Sequence, residues 1–155
     1  EIWERMEKTI RELGEYAEKV GVKLVVETLT PYESNVFTSA NDAVELFKRI
    51  DSSNVVGMCD LVPPFVQYES MLSYLDKLGE KMYHFHIIDG EQGTDNHIIP
   101  GEGAIPLREL FIELKEANYQ GTATLELVNG YINEPRLYAR RAIENVRVYM
   151  KEAGF

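Results

Sequence analysis

Few residues in this chain are equipped for chemistry, and they are unevenly spread. All three histidines, His84, His86 and His97, fall between Tyr83 and Gly103. The first part of that stretch, Tyr83-His84-Phe85-His86-Ile87-Ile88-Asp89, reads as a buried strand. The remainder reads as a loop leading to a helix. Three other apolar segments each carry an acid at or near the carboxyl end: Glu27 in Val25-Val26-Glu27-Thr28-Leu29, Asp60 in Gly57-Met58-Cys59-Asp60, and Glu126 in Leu125-Glu126-Leu127. An unpartnered ionised carboxylate in such a run costs several kcal/mol or more, or is forced to protonate. A cation shared among them removes that penalty. Three carboxylates and one imidazole suit a divalent metal ion, Mn²⁺ first, with Mg²⁺, Co²⁺ or Zn²⁺ as alternatives. The plainer alternative is that each acid pairs with a Lys or Arg. Four strands in succession, each bearing a ligand-type residue, favour the shared metal. His84 alternates with His86 along the strand and is expected to point to the opposite side, in a packing or supporting role.

The elements that must carry these residues are legible from periodicity. Ile2, Trp3, Met6, Ile10, Leu13, Tyr16, Ala17 and Val20 recur at helical spacing, and Gly21 is a natural stop. The run 23–29, rich in β-branched residues, predicts a strand covered on both faces. A helix is expected from about Asp42 to Ile50, capped by Ser39 or Asn41. Residues 55–60 predict the second strand, and Pro63-Pro64 is expected to end regular structure. A helix over 70–78, a strand over 82–88, a helix opened by Pro106 and a strand over 122–128 follow. A last helix opens at Asn133 and Pro135 and runs to about Ala153. One helix followed by four βα units implies an α/β fold with a parallel sheet and right-handed crossovers.

The chain has 155 residues, 45% apolar and 27% charged, which bounds it to one globular domain with a real core. Its net charge of −10 argues against a nucleic-acid surface, which needs clustered Lys and Arg. No apolar run approaches the about 20 residues of a membrane helix, and no signal-peptide pattern is present. The single cysteine, Cys59, cannot form an internal disulfide, and a reducing cytoplasm is the expected location. The chain opens at Glu1 without an initiator Met, as expected of a processed or truncated chain or of an incomplete sequence.

Taken in order, several segments resemble the sugar isomerase/epimerase superfamily of xylose-isomerase-like barrels. They are Glu27-Thr28-Leu29-Thr30-Pro31-Tyr32-Glu33, Asp60, His84-Phe85-His86, Asp95-Asn96-His97-Ile98-Ile99-Pro100-Gly101-Glu102-Gly103 and Leu125-Glu126-Leu127. The resemblance spans the whole chain and is strongest to the fructoselysine and ketose 3-epimerase branch, with endonuclease IV a more distant relative. It implies that Glu27, Asp60, His86 and Glu126 bind one divalent metal ion, and that Glu27 and Glu126 are also the proton-transfer pair. It implies substrate-contacting roles for Glu33, Asp95 and His97, although a loop-stabilising hydrogen bond would equally account for the last two. Two departures stand out. Pro63 occupies a position where many relatives carry a histidine. The relatives form closed eight-stranded barrels of about 250 residues, so this chain is expected to be the C-terminal half of a TIM barrel, residues 1–155 forming a single unit.

Three functions follow as expectations. The first is a metal-dependent sugar 3-epimerase working through an enediolate on a small-molecule sugar, with no nucleic-acid or membrane partner. The second is a non-catalytic or engineered half-barrel that self-associates, since its outer strands expose backbone edges; a homo-oligomer, or the N-terminal half-barrel supplied in trans, would complete it. The third is an endonuclease IV-like phosphodiesterase, against which Pro63 and the negative charge both speak.

Overall fold

Four short apolar runs become four parallel strands, joined by helices that all lie to one side. The computed structural model describes residues 1–155, the side chain of Asn129 excepted. The strands β1 (Leu24–Val26), β2 (Val55–Asp60), β3 (Met82–Ile87) and β4 (Thr122–Leu125) form one sheet in the order β1-β2-β3-β4. All three pairings are parallel, and the β2–β3 register is irregular between Gly57 and Met58. The helices are α1 (Ile2–Val20), α2 (Ala40–Arg49), α3 (Val62–Val66), α4 (Leu72–Leu78), α5 (Leu107–Glu116) and α6 (Pro135–Glu152). This is the α/β arrangement of a TIM-barrel wall. Among the described residues, no helix is long and apolar enough to cross a membrane.

Local chemistry explains the boundaries. Gly21 ends α1 at a φ of 73°, a conformation glycine adopts without a Cβ clash. Ser39 caps α2 through a reciprocal capping box with Asp42, so the helix begins at Ala40, two residues earlier than the sequence predicts. The Pro63-Pro64 pair does not end regular structure as expected. It lies in the first turn of α3, where the missing N–H groups would have had no intrahelical partner.

Val55, Cys59, Phe85 and Ile87 are buried in the core between the sheet and its helices, with Leu46, Leu78, Leu110 and Phe111 from the helices. Leu24, Val26 and Leu125 pack against that cluster from the outer strands. Cys59 is fully buried, and burial followed by the nearby Asp60 charge pushes its thiol well above the usual range. The outer strands are less protected. All three residues of β1 are half-buried, so the expectation of cover on both faces fails at this edge, and Thr122, Ala123 and Thr124 of β4 are exposed. Edge strands lack a neighbour on one side, and a hydrophobic run alone does not reveal that.

Candidate metal centre

The strand ends deliver the chemistry. Glu27 is the first residue past β1, Asp60 the last of β2, His86 the fifth residue of β3, and Glu126 the first past β4. Neighbouring strands are spaced about 4.8 Å apart, so β1 and β4 would lie roughly 14 Å apart in a flat sheet. Yet one ligand atom from each of Glu27, Asp60, His86 and Glu126 lies within 4.8 Å of every other. The side chains of the outer strands therefore reach inward over β2 and β3 to a common point. His86 Nδ1 is the hub, 3.0 Å from Glu27 Oε1, 3.4 Å from Asp60 Oδ2 and 2.9 Å from Glu126 Oε2.

Surrounding residues hold each ligand in place. Asp60 is buried, and its Oδ1 accepts the Val62 N–H at 2.8 Å, which leaves Oδ2 for the cluster. The segment after Glu27 is tied down by a buried Thr28–Tyr74 hydroxyl pair at 2.8 Å and by the Leu29 N–H, which donates to the Phe37 carbonyl at 3.0 Å.

A metal ion fits this donor set. His86 Nδ1 is buried and makes no aligned hydrogen bond, although three carboxylates surround it. Such an atom suits a metal better than a proton donor network. Octahedral bonds of about 2.1 Å put adjacent donors about 3 Å apart, and the distances around Nδ1 are of that size. The cluster could thus hold a divalent ion.

Without such an ion the site must gather protons. Burial opposes a charge on His86, but the close Asp60 and Glu27 carboxylates outweigh it and push the imidazole up to about 10. His97 is pushed to about 9, burial again being outweighed by Asp60. Burial, then Asp60, pushes Glu126 up to about 7. Burial would raise Asp60, but His86 and His97 hold it below the usual carboxylate range. His86 and His97 have folded values above their ordinary 6.5, so their contribution is complete below about 6.5 and is lost as pH rises through about 9 and 10. The metal-free protein should therefore lose thermal stability between pH 6.5 and 10, and metal uptake should release protons. Melting curves in chelator at pH 6.5 and 9 check this; a midpoint that climbs over the interval would contradict it.

His97 reaches the cluster itself, its Nε2 lying 3.3 Å from Asp60 Oδ2 and 3.5 Å from Glu126 Oε2. Glu33 Oε2 accepts from the Thr30 N–H and hydroxyl at 3.3 and 3.2 Å. Asp95 has one buried carboxylate oxygen, Oδ1, without a partner among the described residues. His84 does not point away from His86. Residues two apart on a strand share a face, and the two rings meet edge-to-face at 5.4 Å. The His84 ring nitrogens bond to the Thr122 and Thr124 hydroxyls at 2.6 and 2.9 Å. Sequence reading passed over Asp89, which binds the loop that carries His97. Its only sequence signal is the glycine-rich spacing downstream, at Gly90, Gly101 and Gly103.

Comparison with known proteins gives a consistent picture. A family model described as a xylose isomerase-like TIM barrel matches residues 1–149. Fructoselysine 3-epimerase of Shigella flexneri is 48% identical over 151 residues, which is 97% of this chain and 55% of the relative. D-psicose 3-epimerase of Enterocloster bolteae is 33% identical over 122 residues, covering 79% of this chain and 39% of the relative. The crystal structure of D-psicose 3-epimerase with D-tagatose from Clostridium cellulolyticum H10 superposes with a TM-score of 0.69 at 25% identity, over 97% of this chain and 52% of that one. The chain spans about half the length of the curated relatives it matches.

Proposed function

This chain belongs to the xylose isomerase-like TIM-barrel family, and we propose that it forms the catalytic half of a metal-dependent sugar 3-epimerase. The substrate class is a ketose or ketose derivative of the fructoselysine or psicose type, and Mn²⁺ is the proposed ion. The observation that carries this reading is the convergence of Glu27, Asp60, His86 and Glu126 within 4.8 Å. Similarity to fructoselysine 3-epimerase and D-psicose 3-epimerase supports the reaction type. In this reading the chain is the C-terminal half of an eight-stranded barrel. The other four strands come from an N-terminal half-barrel or from a second copy, because β1 and β4 each present an unpaired backbone edge.

When bound, the metal offsets the negative charge that develops on the substrate oxygens as the carbon beside the carbonyl loses its proton. The chain's own residues move that proton. Epimerisation removes hydrogen from one face of the carbon and returns it on the other, so two bases are needed. Glu27 and Glu126 meet the requirement as two separate carboxylates that approach from the two outermost strands, 3.0 and 2.9 Å from His86 Nδ1. Glu126 supplies the second carboxylate, able to take up the proton and return it. Glu33, Asp95 and His97 would line the substrate side of the pocket.

The test is to incubate the protein with fructoselysine or D-psicose in D₂O and follow C3 by NMR. Epimerisation with deuterium entering C3, abolished by EDTA and restored by Mn²⁺, is expected. Turnover indifferent to EDTA, or inversion without deuterium uptake, rejects the mechanism.

A further inference from the structure

Asp89 has no part in the reaction just described, yet few side chains are so fully engaged. It is 1% exposed. Oδ1 accepts the Gly90 and Ile105 N–H groups, each at 2.9 Å. Oδ2 accepts those of Gly101 and Gly103 at 2.9 and 3.0 Å. Its backbone also pairs with Ile98 in both directions, N to O at 3.0 Å and O to N at 2.9 Å. A buried carboxylate without a cation is tolerable when backbone donors saturate its oxygens. Here four such donors do so, and three of them lie 12 to 16 residues along the chain. The approach is close enough that a Cβ on Gly103 would run into the Asp89 carboxylate.

The residue next to Ile98 is His97. The four ligand-type residues at the cluster sit on or directly after strands, whereas His97 lies on the loop that Asp89 gathers in. Its imidazole still reaches within 3.3 Å of Asp60 and 3.5 Å of Glu126. We infer that Asp89 is a positioning residue that fixes where the His97 ring meets Asp60 and Glu126, and through His97 sets the rate of proton transfer at Glu126. The rate part of this inference rests on the epimerase reading; the positioning part does not. Asp89 lies three residues past His86, two beyond the end of the same strand. The loop is thus registered against the strand that carries the central imidazole.

Asp89→Asn tests it, because the amide keeps the size but turns an NH₂ toward backbone donors. Gly103→Ala disturbs the same contact from the other side, should the first variant fold poorly. In hydrogen exchange on the metal-loaded protein, the amides of residues 98–105 should exchange at least tenfold faster in either variant. Amides of β2 and β3 should stay within threefold. The ring NMR signals of His97, one of only three histidines, should move toward unfolded-chain positions. Where turnover is measurable, Asp89→Asn should lower kcat at least tenfold with Mn²⁺ affinity within threefold. His97→Gln should then add less than twofold in the Asp89→Asn background, although alone it costs a factor similar to Asp89→Asn.

Unchanged exchange or an unmoved His97 ring would overturn the positioning role. Equal His97→Gln factors in both backgrounds would overturn the coupling to rate, as would a fall in Mn²⁺ affinity that matched the loss in kcat. A protein with no turnover at all would reject the epimerase reading and the rate part together, and leave exchange and the ring signals to decide the positioning part.

Discussion

Glu126→Gln is expected to slow epimerisation by roughly 10²–10⁴-fold, the usual worth of a positioned acid or base. The amide keeps a carbonyl oxygen for the metal side of the cluster but cannot take up a proton. Because Glu126 Oε2 lies 2.9 Å from His86 Nδ1, the isosteric change should leave the rest of the cluster in place. The two-base arrangement adds a sharper expectation. With Glu27 intact, proton exchange into solvent from one of the two epimers should survive better than inversion itself. Deuterium uptake at C3, measured separately from each epimer, reads this directly. Equal losses of exchange and inversion from both sides would point to a single base serving both faces.

Asp60→Asn should be the most damaging change for the metal. Disturbing a residue that merely supports a ligand costs about 10–100-fold in affinity, and loss of a buried anionic ligand should exceed that. The fold should tolerate the change, because asparagine can still accept the Val62 N–H that Asp60 Oδ1 takes at 2.8 Å. A ligand at a concentration 100 times its Kd stabilises a protein by about 2.7 kcal/mol. For a chain of this size that corresponds to a rise in Tm of roughly 5–11 °C. The parent protein should show such a rise on adding Mn²⁺, and Asp60→Asn should show almost none. Without metal the variant should melt below the parent at pH 8, because Asp60 is the carboxylate that holds the charges on His86 and His97. An intact Mn²⁺ response in Asp60→Asn would remove Asp60 from the ligand set.

The strands and the convergent residues were legible in the sequence for one physical reason. Acids at Glu27, Asp60 and Glu126 stand beside β-branched and apolar neighbours, and water-seeking groups are placed there only with a partner. Other features were hidden or misread. The helix at Val62–Val66 escaped because Pro63-Pro64 usually marks an end, whereas prolines also suit a first turn. His84 shares the face of His86 rather than the opposite one, because a spacing of two residues returns a side chain to the same side of a strand. Asp89 could not be found from spacing, because an aspartate after a strand looks like any turn residue. Its donors, Gly101, Gly103 and Ile105, come near only once the loop folds back. The exposure of Thr122, Ala123 and Thr124 depends on what lies beside the last strand, and a strand's own residues do not record that.

The sealed thiol of Cys59 has a practical consequence. It sits one residue before Asp60 on β2 and is fully buried. A maleimide can reach it only in molecules whose central strand has come loose, so its labelling rate counts those excursions. An ion gripping the neighbouring carboxylate would make them rarer, and the reagent would then act as a stopwatch for occupancy of the adjacent cluster.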